Sequence, residues 1–281
     1  MEHTIAGHTR YRPRRRTSIQ PMDIARIATP AASLSRDLRT ALARARDLGI
    51  RGVELDARGG LHPDEVTRTG IRQIRKWLGD CGVEVAAVAF RTRGGYADTD
   101  RLEGRIAATK KALDLAHALG CGVVLNHVGD IPAESEGPRW RLLVDVLADI
   151  GRWSHHAGAT LCAEAGRAAP NDLLRLIGAL PEGSLACDVV TGSLVVHGHD
   201  PAGTVADLAP HVAAVHVTDA VAGAFAGRGR AVELGTGQVD AAAVLAALEE
   251  RGYRGWIGLE PVEDRTAAAE LRAALDYLRA L

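Results

Sequence analysis

Apolar and polar positions along the chain alternate between two periods. Short β-rich runs fall at 24–28, 52–55, 83–90, 123–127, 160–164, 185–190, 212–217 and 256–260. A polar or glycine-containing loop follows each run. Stretches with helical spacing then cover 34–48, 68–80, 98–119, 138–157, 170–180, 201–209, 240–251 and 264–280. Gly49, Gly120 and Gly252 stand where helix C-termini need a left-handed residue, and Asp98 and Asp240 are predicted N-caps. Strands that alternate with helices pair in parallel through right-handed crossovers. Eight such units over about 260 residues predict an α/β fold, a (β/α)8 TIM barrel forming one domain over 22–281. The other arrangement for this alternation is an open doubly wound sheet. That fold prefers a glycine-rich phosphate loop after its first strand, where this chain has Ile27-Ala28-Thr29-Pro30.

Residues 1–21 carry Tyr11-Arg12-Pro13-Arg14-Arg15-Arg16 and no periodicity, and read as a flexible basic tail or a docking arm for an acidic partner. Over the whole chain the charges balance, with 34 Lys+Arg against 35 Asp+Glu. Binding to nucleic acid through phosphate contacts would call for a basic surplus, so no nucleic-acid partner is expected. A hydrophobic share of 47% excludes a disordered acidic chain. Aromatics make up only 4%, so the core must rest on Val, Leu, Ile and Ala. The four cysteines form no CxxC pair and read as reduced thiols of a cytoplasmic protein. No apolar run reaches the ~20 residues that span a bilayer, and the N-terminus has no stretch of signal-peptide type.

Barrel active sites lie at the C-terminal strand ends. Four successive predicted strands there offer Glu164, Asp188, His216 and Glu260. Adjacent parallel strands are about 4.8 Å apart, so these side chains can converge. Three carboxylates held together repel one another unless a positive charge neutralises them or their pKa values rise. A divalent cation does this, and three oxygens with one imidazole suit Mn, Mg, Co or Zn.

Several motifs resemble those of the xylose isomerase-like TIM-barrel superfamily. They are Leu119-Gly120-Cys121-Gly122-Val123-Val124, Glu164, His216-Val217-Thr218-Asp219, Leu234-Gly235-Thr236-Gly237-Gln238-Val239-Asp240 and Gly252-Tyr253-Arg254-Gly255-Trp256-Ile257-Gly258-Leu259-Glu260. This superfamily includes sugar phosphate isomerase/epimerases, ketose 3-epimerases, inosose dehydratases and endonuclease IV. The resemblance implies a divalent-metal-dependent isomerase or epimerase of a small keto sugar, polyol or sugar-like metabolite. Glu164, Asp188, His216 and Glu260 would bind the metal. Glu164 and Glu260 would also serve as base and acid on opposite faces of an enediolate. It further implies substrate contacts from His127 and from Arg228 and Arg230, with His197 a candidate in the next loop. Arg91, Arg93 and Arg167 are further loop arginines at the predicted mouth. A related lyase or dehydratase, or a degenerate barrel that binds without turnover, is the alternative. The nuclease branch needs about three zinc ions and histidines at several strand ends, and the first half of this chain lacks such a set. Assembly into a homo-oligomer is compatible with this reading.

The sixth run departs from the family pattern. Aligned without gaps on Gly198-His199-Asp200-Pro201, it puts Val190 at the expected Asp position and Asp188 two residues earlier. Residues i and i+2 share a face. Asp188 therefore points inward but as much as ~6.6 Å deeper, unless the following loop holds an insertion. The usual following His is absent, and Ser193 sits near its place. Glu54 and Asp56, which end the second run, read as anchors of helix salt bridges. Cys162 and Cys187 read as core fillers, since metal-thiolate spacing is absent.

Overall fold

Eight parallel strands close into a ring in the computed structural model, which describes residues 26–263 and 266–281. The predicted tail over 1–21 and the start of the first predicted strand lie outside these residues. In chain order the elements are β1 (Ile27–Pro30), α1 (Ala31–Leu34), α2 (Leu38–Leu48), β2 (Gly52–Asp56), α3 (Arg68–Cys81), β3 (Glu84–Ala89), α4 (Leu102–Leu119), β4 (Val123–Asn126), α5 (Pro138–Ala157), β5 (Thr160–Ala165), α6 (Pro170–Gly178), β6 (Ala186–Val190), α7 (Thr191–Val196), α8 (Pro201–Leu208), β7 (Val212–His216), β8 (Asp219–Ala222), β9 (Gly229–Val232), α9 (Ala241–Glu250), β10 (Ile257–Gly258) and α10 (Ala267–Ala280). Strand β10 pairs with both β1 and β7 and so closes the barrel; β8 and β9 form an antiparallel hairpin beside it. The fold is a (β/α)8 TIM barrel.

Glycine ends the helices where expected: Gly49 and Gly120 adopt φ 75° and 81° and return their N–H groups to the last helical turn. Asp240 accepts the Ala243 N–H and caps α9. Asp98 does not cap α4. Its carboxylate accepts the Asp100 N–H, and α4 starts only at Leu102, after Arg101 turns through φ 50°. The predicted helix over 34–48 is broken because Asp37 accepts the Thr40 N–H and starts α2 afresh. Helix α7 and the β8–β9 hairpin were not expected. Thr191-Gly192-Ser193-Leu194-Val195-Val196 is rich in β-branched residues yet forms α7, because Thr191, Gly192 and Leu194 are buried there. Tertiary packing overrides propensity in so short a segment. The Gly227–Arg230 region, read as loop, contributes strand β9.

The apolar material divides into two layers. Val, Leu and Ile from the outward faces of the strands pack under the helices. Inside the ring lies a smaller cluster of Ala87, Ala89, Leu125, Cys162 and Ala214. These interior side chains are mostly small, which leaves room above them for polar groups at the strand C-termini.

Candidate active site

Strand β2 reads Gly52-Val53-Glu54-Leu55-Asp56. Val53 and Leu55 join the layer beneath the helices, so alternation turns Glu54 the other way, into the barrel. Glu54 is buried there and accepts the His216 Nε2–H at 2.6 Å. It anchors no helix, contrary to the sequence expectation. Asp56 instead accepts the backbone N–H groups of Arg58 and Gly59 at 2.8 and 3.1 Å. On the opposite edge of the His216 ring, Nδ1–H donates to Asp188 Oδ1 at 2.7 Å. His216 is thus clamped between two buried carboxylates. Burial alone would lower its pKa, but Asp188 and Glu54 outweigh burial and raise it well above the ordinary imidazole range. Burial likewise pushes Glu54 up; the His216 ring beside it, the hydrogen bond and Arg91 reverse this and hold it below the usual carboxylate range.

Register explains the depth of Asp188. It pairs with Glu164 on β5 and with Ala214 on β7, two residues before His216, while Val190 pairs with His216 itself. The β6–β7 pairing carries a bulge between Cys187 and Asp188. Asp188 therefore lies one pleat below the His216 level and reaches up to Nδ1. The ring above needs an open neighbour, and Gly258 on β10 supplies it. A Cβ at Gly258 would fall 2.4 Å from His216 Cδ2 and 3.1 Å from Glu54 Oε1.

Glu260 follows β10, with its Oε1 3.9 Å from His216 Nε2. Glu54, His216 and Glu260 each offer a ligand atom, and these atoms lie within 4.8 Å of one another. Among the described residues this trio alone forms such a group. Of the four ligands expected from sequence, His216 and Glu260 belong to it, whereas Glu164 and Asp188 flank it. Glu164 accepts the His127 Nε2–H at 2.6 Å, and Ser193 Oγ donates to its other oxygen at 3.4 Å. Burial raises the Glu164 pKa, but the His127 hydrogen bond and charge, with Arg91 and His216, lower it below the ordinary value. Glu260 shifts the other way. Burial leads, and Glu54 and Asp188 add to it, against the pull of His216 and Arg91.

Arg91, two residues beyond β3, lies between these groups. Its Nη2 is 3.3 Å from Glu260 Oε1 and its Nε 4.0 Å from Glu164 Oε2. The Arg91 carbonyl accepts the Arg58 Nη1–H at 2.7 Å, which fixes the backbone behind it. A cleft of about 640 Å³ opens onto Glu164 and His127 and is lined also by Arg93, Arg139 and Arg167. His197 lies apart from that cleft, its Nδ1–H donating to the Ser193 carbonyl at 2.8 Å. Arg228 and Arg230 are exposed on the β8–β9 hairpin and do not line the cleft. Glu54 and the central position of Arg91 are what sequence reasoning missed. The available signal was a charge inside β2 flanked on both sides by apolar residues, Val53 and Leu55.

The Leu234–Val239 motif has an architectural explanation. Asp219 is buried, and its carboxylate accepts four backbone N–H groups, from Ala220, Gly235, Gly237 and Val239, at 2.8 to 3.0 Å. A Cβ on Gly237 would fall 2.3 Å from Asp219 Oδ1, so only glycine lets the backbone approach this closely. Asp219→Ala would strand these donors. It is expected to lower the unfolding free energy by about 3 kcal/mol, read from guanidinium denaturation. A loss below about 1 kcal/mol would mean that the loop holds without the carboxylate.

Residues 42–281 match the family model described as xylose isomerase-like TIM barrel, and the chain belongs to that family. Among solved structures it is similar to a xylose isomerase domain protein from Planctomyces limnophilus. Identity there is 25% and the TM-score 0.80, over 90% of this chain and 95% of that one. A D-tagatose 3-epimerase-like protein matches at 18% identity and TM-score 0.74, over 91% and 97% of the two chains. The probable 3-DHS dehydratase AsbF from Bacillus anthracis matches at 15% identity and TM-score 0.73, over 90% and 98%. No curated protein matches the chain at a significant level. Among the described residues no helix is long and apolar enough to cross a membrane.

Proposed function

We propose that the protein is an isomerase or epimerase of a small carbohydrate-like molecule, moving a proton on the carbon next to a carbonyl. One observation carries this reading. Four carboxylates from separate β/α units, Glu54, Glu164, Asp188 and Glu260, gather around His216 and Arg91 beside an open cleft. Family membership and the epimerase-like neighbour agree with it.

The resemblance implies a divalent metal ion, Mn, Mg, Co or Zn, and the donor set fits one. Glu54 Oε2 is buried with no hydrogen-bond partner. Carboxylates outnumber the fixed cations around them, a surplus that favours a further positive charge. Glu54, His216 and Glu260 would hold the ion. Asp188 would keep the proton on Nδ1, while the Nε2 proton directed at Glu54 would leave to solvent as the ion binds, so that the ring presents Nε2. Bound there, a dication would polarise the substrate carbonyl and make the adjacent C–H acidic.

The remaining steps belong to the chain. Glu164, kept ionised beside His127 and Arg91, accepts the proton on the cleft side. Glu260, on the other side of Arg91, is the group placed to return a proton. His127 orients Glu164, and Arg91 offers N–H donors to an enediolate oxygen. If a hydroxyl sits β to the carbanion, the same abstraction leads to dehydration, the lyase alternative.

The test is exchange of substrate C–H for deuterium. The purified protein is incubated in D2O with a panel of ketoses, ketose phosphates and keto-polyols, with and without Mn2+ and after EDTA. Deuterium is expected at the carbon next to the carbonyl for at least one panel member, lost with EDTA and restored by Mn2+. No exchange across the panel under any condition would favour a barrel that binds without turnover. Exchange that EDTA leaves intact would remove the metal from the reading.

A further inference from the structure

We propose that Arg91 competes with a divalent cation for one acidic pocket, so that this arginine sets the metal affinity of the site. The inference rests on the metal half of the reading above and not on the reaction.

Glu260 Oε1 is the disputed atom. It lies 3.3 Å from Arg91 Nη2 and 3.9 Å from His216 Nε2. The same carboxylate belongs to the trio that can share an ion. A dication held by Glu54, His216 and Glu260 would therefore sit next to the guanidinium, in a partly buried place where like charges are poorly screened. Either the guanidinium gives up Glu260 or it stays and repels the ion; in both cases it weakens binding. Its side chain is held by few contacts. Apart from Glu260 and the more distant Glu164, no other side-chain hydrogen bond or ion pair ties the Arg91 guanidinium among the described residues. It is also about one-third exposed, so the guanidinium already borders solvent. The anchored part is the backbone, through Arg58. Such a swinging cation is a physical means of holding the acid cluster together when no metal is bound.

The opposite reading is that Arg91 aligns Glu260 for the metal. Titration calorimetry with Mn2+ on the EDTA-stripped, full-length protein separates the two. Wild type, Arg91→Gln and Arg91→Lys are compared, with Glu54→Gln identifying binding at this site. If the proposal holds, Arg91→Gln binds Mn2+ about tenfold or more tightly than wild type. Arg91→Lys stays near wild type, and Glu54→Gln loses the binding. Binding to Arg91→Gln that is unchanged or weaker overturns the proposal, and so does the absence of Mn2+ binding to every variant. Should Arg91→Gln fail to fold without metal, wild type still answers. The Arg91 Nε–H resonance is followed by NMR as diamagnetic Zn2+ is added. A shift with faster hydrogen exchange is expected, and a resonance unmoved at saturation overturns the proposal. No substrate enters any of these measurements, so the function proposed above can fail while this inference stands.

Discussion

Glu260→Gln is expected to lower the rate of C–H exchange by about 10² to 10⁴-fold, the usual contribution of one positioned acid–base group. The amide keeps the shape of the side chain but can neither deliver nor take a proton, and it is a poor partner for Arg91 at 3.3 Å. Stability is expected to change little, because Glu260 is one-third exposed and its ion pair is partly solvated. Turnover near the wild-type level in a well-folded Glu260→Gln protein would remove Glu260 from the chemistry. Glu164→Gln should match it in rate but differ in pH dependence. Burial raises the Glu164 pKa, and the His127 hydrogen bond overcomes this and lowers it. The base form is therefore present above that depressed value and is lost as pH falls through it. The acid limb of the kcat/KM profile should disappear in Glu164→Gln.

Asp188→Ala carries the largest expected cost in stability, about 3–5 kcal/mol, the range for removing one partner of a buried ion pair. Asp188 and His216 are both about 1% exposed, so solvent barely screens their interaction. The loss is a large fraction of the stability of an ordinary domain. Burial works against the His216 charge, and Asp188 and Glu54 overcome it, so the folded imidazole titrates well above its unfolded value of about 6.5. Its contribution is fully present below that value and is lost only as pH rises through the elevated folded one. The difference between wild type and Asp188→Ala should therefore be steady from about pH 5 to 6.5 and narrow at alkaline pH. Urea unfolding at several pH values in EDTA measures it. A difference below about 1 kcal/mol at pH 6 would mean that Glu54 alone supports the ring.

The depth of Asp188 illustrates how the sequence informs and where it stops. A gapless alignment on Gly198-His199-Asp200-Pro201 places it two residues short, and the β6–β7 register places it level with Ala214 rather than His216. The bulge at Cys187 and Asp188 could not be read from residue types, because a bulge depends on which neighbours pair across the strands. Glu54 is similar. Alternation with Val53 and Leu55 shows that it faces away from the helices, but its partner His216 lies 162 residues later, on a strand that β2 does not touch. Arg91 was legible as a loop arginine near the mouth; its place between Glu164 and Glu260 was not.

The sequence by itself determined the alternation of strands and helices, the helix ends at Gly49, Gly120 and Asp240, and the presence of Glu164, His216 and Glu260 at strand C-termini. These follow from local periodicity, capping chemistry and the parallel direction of the strands. Tertiary structure alone decided which of those groups meet. Closing the ring brings β2 across the mouth from β7, seats His216 between Asp188 and Glu54, and turns Arg91 toward Glu260. The physical reason is that barrel shear and strand register set side-chain heights, and both arise from pairing between strands rather than from order along the chain.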